Sequence, residues 1–182
     1  MKTSVKKIRL LFIATVISSF ALSCSSSDDG GGGGSASEGT IKAKVDGTWV
    51  ETLKEVAGQP ITVASVNWGT LHMQGNTGGT SSEAFVINVG GFEGVGTYDF
   101  GGENFVGVNA SYTEIVVDPS NPMDFQQTIW AAPYEGGAKV GEIQVAEYIE
   151  GDYIKGTFHF EAKNQDGDDK KNITEGSFHI KF

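Results

Sequence analysis

The sequence predicts an all-β fold, an antiparallel β-sandwich of about 9–11 strands, with a closed lipocalin-like β-barrel as the alternative. Three observations carry that prediction. Apolar and polar residues alternate with period two through the last 45 residues, the mark of strands with one wet face. Glycine-rich or Asp-Gly turns punctuate the chain at short intervals. Past the first two dozen residues, no stretch keeps a helical period over 12 positions.

Taken in order, the chain first shows a segment that is not part of that fold. Residues 1–23 combine a basic start (Lys2, Lys6, Lys7, Arg9), an apolar run from Leu10 to Leu22 and a small residue, Ser23. This is the layout of an export signal. The apolar run is 13 residues long and interrupted by Thr15, Ser18 and Ser19. Crossing a bilayer takes about 20, so the segment is expected to be cleaved, between Ser23 and Cys24. Ala21-Leu22-Ser23-Cys24 resembles the lipobox of bacterial lipoproteins in the Ser-Cys form common among Bacteroidota. The resemblance implies a thioether-linked diacylglycerol on Cys24, the one cysteine of the chain. Two or more acyl chains anchor firmly, at about 0.8 kcal/mol per buried CH₂. No other cofactor is expected.

Residues 24–38 then read as the lipidated cysteine and a tether. Serines, acids and the five glycines Gly30 to Gly34 bury too little apolar area to offset the entropy of ordering. The Ser-Ser-Ser-Asp-Asp run after Cys24 resembles the acidic surface-export signal of Bacteroidota lipoproteins. It implies an outer-membrane protein displayed at the cell surface rather than facing the periplasm.

Residues 39–182 form the expected single β domain. Ile41, Ala43 and Val45 alternate with Lys42 and Lys44, and Asp46-Gly47 turns the chain into Thr48 to Glu51. Residues 53–59 read as a short turn. Ile61 to Trp68 and Thr70 to Gln74 are strands around Gly69, Gly75 to Ser82 a loop, and Ala84 to Val89 a buried strand. Thr97 to Phe100 restarts after paired glycines, Asn104 to Val117 supplies one long or two short strands, and Phe125 to Ala132 follows. In the closing meander, Ile154, Phe158, Phe160 and Ala162 share one face with Lys155, Thr157, His159, Glu161 and Lys163 opposite. Phe178, Ile180 and Phe182 repeat the pattern. Pairing 163 with 172 would close the last hairpin.

Gly156-Thr157-Phe158-His159-Phe160 and Asn172 to Phe178 resemble the closing motifs of a family of uncharacterised Bacteroidota lipoproteins. Ala43 to Trp49 and Gly96 to Asp99 resemble its opening and middle segments. The resemblance implies an all-β domain and carries over no activity.

Charge limits the function. Residues 24–182 hold all 23 acids but 9 lysines and no arginine, a net charge near −14. An acidic surface without guanidinium forks repels nucleic acid and phosphate-rich partners, so no nucleic acid is expected. A hydrolase needs a nucleophile with a base in reach; no G-x-S-x-G or H-E-x-x-H occurs, and the protein is read as a non-enzyme. His72, His159 and His179 suggest a metal, yet the expected register leaves His159 and His179 about 10 Å apart, too far for bonds near 2.1 Å. Asn164, Asp166, Asp168 and Glu175 imitate a calcium loop, but the sixth position is Asp169 instead of glycine and strands flank it. A solvated hairpin loop is the better reading.

Trp49, Trp68 and Trp130 remain as candidate ligand-binding residues, since exposed indoles stack on sugars while most tryptophans of small β domains are core. The expectation is a membrane-anchored, non-enzymatic binding or envelope-accessory module. The alternative is a protein holding a glycan or a small apolar ligand.

Overall fold

The computed structural model describes residues 34–102, 107–121, 123–135 and 137–182. The signal segment, Ser23, Cys24 and the tether up to residue 33 lie outside these. Strands come in chain order as β1 (Thr40–Val45), β2 (Thr48–Glu51), β3 (Glu55–Val56), β4 (Gln59–Pro60), β5 (Val63–Asn67) and β6 (Thr70–Asn76). Then follow β7 (Ser81–Gly90), β8 (Gly96–Phe100), β9 (Val108–Val117), β10 (Phe125–Ala132), β11 (Gly141–Ile149), β12 (Tyr153–Asn164) and β13 (Lys170–Lys181). There is no helix among the described residues.

Eleven strands hydrogen-bond into one antiparallel sheet, and β3–β4 forms a separate small hairpin. The large sheet folds back on itself at β12. Along most of its length β12 pairs with β11 and β13, while Lys163 and Asn164 at its end pair with Ala131 and Trp130 of β10. One layer therefore reads β2-β1-β13-β12-β11-β8 and the other β10-β9-β7-β6-β5. The sheet does not close into a barrel, and the architecture is a sandwich.

Rings fill the space between the layers. Phe85 of β7 meets Phe158 of β12 across the gap, ring centroids 6.1 Å apart and edge-on. Tyr112 and Trp130 extend the chain on one side at 5.6 and 5.7 Å, Phe160 and Phe100 on the other at 6.0 and 5.4 Å. Offset and edge-on geometries are the ones the ring quadrupole favours. With Ile41, Ile87, Ile143, Ile154 and Ile180 wholly buried, this interior is packed with side chains.

The closing motifs now have a physical meaning. Gly156 of β12 pairs with Phe178 of β13, and Phe158 pairs with Gly176. Each phenylalanine thus lies over the other strand's glycine. A Cβ at Gly156 would come within 2.5 Å of the Phe178 ring, and one at Gly176 within 2.7 Å of the Phe158 ring. Two G-x-F triplets in antiparallel register let both rings enter the core from neighbouring strands.

The expected hairpin at Asp46-Gly47 is present, with φ of 49° and 85°, the paired left-handed residues of a tight hairpin turn. Residues 53–59 contribute β3 and the start of β4, turning at Ala57 and Gly58. The last hairpin departs from the expected register: Lys163 faces Lys170, and His179 faces Lys155. The turn is two residues tighter than expected, and a bulge on β13 at Thr174-Glu175, where Glu175 takes a φ of 51°, then shifts the pairs beyond Phe158 by one. A bulge adds a residue to one strand and shifts all later pairs.

Candidate functional site

Register assigns every strand residue to a layer's inner or outer side. The outer side of β2-β1-β13-β12-β11-β8 is charged. Lys42, Lys44, Glu51, Glu142, Lys155, Glu161 and Lys163 stand there, in ion pairs such as Lys42–Glu51 at 3.4 Å and Lys44–Glu175 at 2.7 Å. Lysine ammoniums hold acids below their ordinary range: Lys170, then Tyr134, for Glu161, and Lys163 for Asp168.

A shallow groove of about 520 Å³ runs over this side, lined by Trp49, Thr157, His159, Glu175 and Ser177. The N-terminal segment crosses it as a strap: the Ala36 amide donates to Ser177 Oγ at 2.8 Å, and both residues are buried. Gly34 lies against the same groove. The first described residues thus lie on the charged side.

The outer side of β5-β6-β7-β9-β10 is different. Its residues are Val63, Ser65, Asn67, Thr70, His72, Gln74, Asn76, Ser82, Ala84, Val86, Asn88, Asn109, Ser111, Thr113, Ile115, Val117, Phe125, Gln127, Ile129 and Ala131. Among these described residues no lysine, aspartate or glutamate occurs. The two acids on these strands, Glu83 and Glu114, have the inward parity and bond the hydroxyl of buried Tyr112. Burial and then Glu83 push that phenol well above its ordinary pKa.

One cross-strand row stands out on this uncharged side. Ser65 faces His72, His72 faces Asn88, and Asn88 faces Asn109, on four successive strands. His72 Nδ1 lies 2.7 Å from Asn88 Oδ1, and Asn88 Nδ2 donates to Asn109 Oδ1 at 2.9 Å. These residues were invisible as a set in the sequence. The available signal was the absence of any charged residue from Pro60 to Ser82 and from Ala84 to Phe92.

The three tryptophans have three separate fates. Trp130 is core, 5 % exposed, and its Nε1 donates to Asp169 Oδ2 at 2.6 Å. Trp49 is half-buried on the charged side, with Lys42 and Lys44 ammoniums 5.1 and 5.0 Å from its ring. Trp68 is 102 % exposed at the tip of the β5–β6 hairpin, with φ of 52°. A left-handed conformation is an outlier for a bulky residue. The strand order brings no two of them into one platform.

The calcium-like loop splits its acids among other partners. Asp168 pairs with Lys163 at 2.9 Å, Glu175 pairs with Lys44, and the Asn164 side chain bonds Asp169 and the Asp166 amide. His159 and His179 are separated by four residues of β12, about 13 Å, and His72 lies on the other layer. Among the described residues no group of three His, Cys, Asp or Glu is placed to hold a metal ion.

Fold and faces define an all-β sandwich whose two outer sides are sorted by charge. Residues 59–180 match the family described as a domain of unknown function, DUF6252, and the chain belongs to that family. The match spans Gly96 to Asp99 and both closing G-x-F motifs, and begins beyond Ala43 to Trp49. No curated protein and no solved structure matches the chain.

Proposed function

We propose that this protein is a lipid-anchored, non-enzymatic binding module of the Bacteroidota outer membrane, displayed at the cell surface. Its uncharged sheet face meets the partner. The observation that carries this reading is the sorting of charge between two outer sides of one small sandwich. Burying a surface without ions avoids the several kcal/mol that each desolvated charge costs, and charge depletion marks the centre of binding surfaces.

Two measurements test the reading in cells. Cys24→Ala is expected to release the protein from the membrane fraction; unchanged partitioning would remove the anchor. A photo-crosslinking residue at position 88, on the uncharged side, is expected to give adducts that one at position 157, on the charged side, does not. Equal labelling at the two positions, or none at either, would defeat the binding-module reading.

A further inference from the structure

The geometry points to a neutral polysaccharide as the ligand of the uncharged face, an inference that rests on the binding-module reading. The chain would lie across β5, β6, β7 and β9 along Ser65, His72, Asn88 and Asn109, with Trp68 beside the row's first end.

Spacing comes first. Neighbouring strands lie about 4.8 Å apart, roughly the length of one hexose. A cross-strand row therefore offers one polar side chain per sugar, over four strands. The hydrogen-bonding chemistry follows. A sugar hydroxyl both donates and accepts, as does a primary amide. Asn88 uses one N–H on Asn109 and sets its carbonyl against His72 Nδ1. Each amide has two N–H donors and two lone pairs, so capacity remains for a ligand. The bonds along the row also hold these side chains in place beforehand, which cuts the ordering cost of binding. His72 Nε2 extends the network toward Gln74 at 3.4 Å, and the Asn109 amide reaches Gly107 O at 3.4 Å.

Charge then decides the ligand class. Among the described residues no lysine stands on this face to meet a uronate or sulfate, and the domain's net negative charge repels anionic chains. The row has no aromatic or arginine at its centre, the residues that anchor protein partners. Trp68 supplies the aromatic surface instead. Three residues along the hairpin from Ser65, about 10 Å, its fully exposed indole is open to the C–H side of a pyranose. The left-handed backbone that carries it is strained for a bulky residue, and strain of this kind concentrates at ligand-contacting sites.

The test uses the full chain in neutral detergent, run through native gels cast with dextran, mannan, xyloglucan or soluble starch, and with polygalacturonate as the charged counterpart. At least one neutral polymer is expected to slow migration, and polygalacturonate is not. Trp68→Gly, which suits the left-handed backbone, is expected to weaken retardation at least tenfold. So is the double variant Asn88→Ala/Asn109→Ala, while Trp49→Ala on the opposite side leaves it unchanged. Thermal melting of each variant checks that the fold persists. Retardation by no neutral polymer, equal retardation by polygalacturonate, or retardation that survives both sets of substitutions would overturn the assignment. So would concentration-dependent dimers, seen by sedimentation and broken by Asn88→Asp, which would give the face to a second copy. Adducts at position 88 without polymer retention would sink the glycan alone; loss of both would sink the binding-module reading as well.

Discussion

The two outer sides of the sandwich share a hydrogen-bonded sheet yet follow opposite surface chemistries. One is laced with ion pairs, crossed by the strap and grooved beside Trp49. The other is a field of amides, hydroxyls and short aliphatics with a bare indole at its edge. Solubility is supplied by the first, which leaves the second free of that duty. The contrast teaches that net charge describes a protein poorly when the charges on its strands are sorted between faces.

The comparison can be broken most severely at the joint between the layers. Phe158 touches Phe85 across the gap and Phe160 and Phe178 beside it, so Phe158→Ala is expected to cost about 3–5 kcal/mol. Denaturant unfolding measures this, and a loss below about 1 would mean that the layers do not depend on that contact.

A narrower substitution touches the charged layer alone. Gly156→Ala drives a methyl into Phe178 and the Gln144 carbonyl, for an expected loss of about 1–3 kcal/mol. Glycan retention should persist at temperatures where the fold holds. An alanine accepted there without loss would refute the Gly–Phe packing.

Lys42→Ala removes one half-buried ion pair and one ammonium near Trp49. It should cost under about 1 kcal/mol, with the difference shrinking in high salt. A larger, salt-insensitive loss would show that the charged side does more than solvate.

Acid gives the finest discrimination. Glu161 is held below its ordinary 4.5 by Lys170 and Tyr134, so its share of stability is complete above 4.5 and fades as pH falls through its lowered value. His179 is lowered from 6.5, chiefly by burial and then by Lys155, so its share begins to fade as pH drops below 6.5. The melting temperature of the protein should therefore exceed that of Lys170→Ala at pH 7, with the gap narrowing as pH falls below 4.5 through the lowered pKa of Glu161. A gap that stays constant with pH would show that Lys170 does not act through Glu161.

Much of the fold could be read from residues alone because period two is local. Ile41 to Val45, the Asp46-Gly47 turn and the faces of β12 follow from neighbours within a few positions. The register of the last hairpin did not, since where the turn closes, at Lys163 and Lys170, and a bulge on β13 at Thr174-Glu175 both leave the alternation of β12 intact while moving its partners. Nor did the fates of the tryptophans. Trp130 is drawn inward by Tyr112 and capped by Asp169, 39 positions away, and Trp68 sits where a turn would favour asparagine or glycine. The amide row required knowing that β7 lies between β6 and β9. Site chemistry that depends on strand order cannot be seen in a linear pattern.

The contact between the strap and Ser177 joins residues 141 positions apart, and β1 lies directly beside β13. Until β13 has emerged, β1 and β2 have no third strand to join, and the interior stays open on that flank. Pairing so distant in the chain makes for slow assembly. For a chain exported as proposed above, delay of this sort would be useful: knotting up early would block passage through a translocation pore, and the architecture would postpone it.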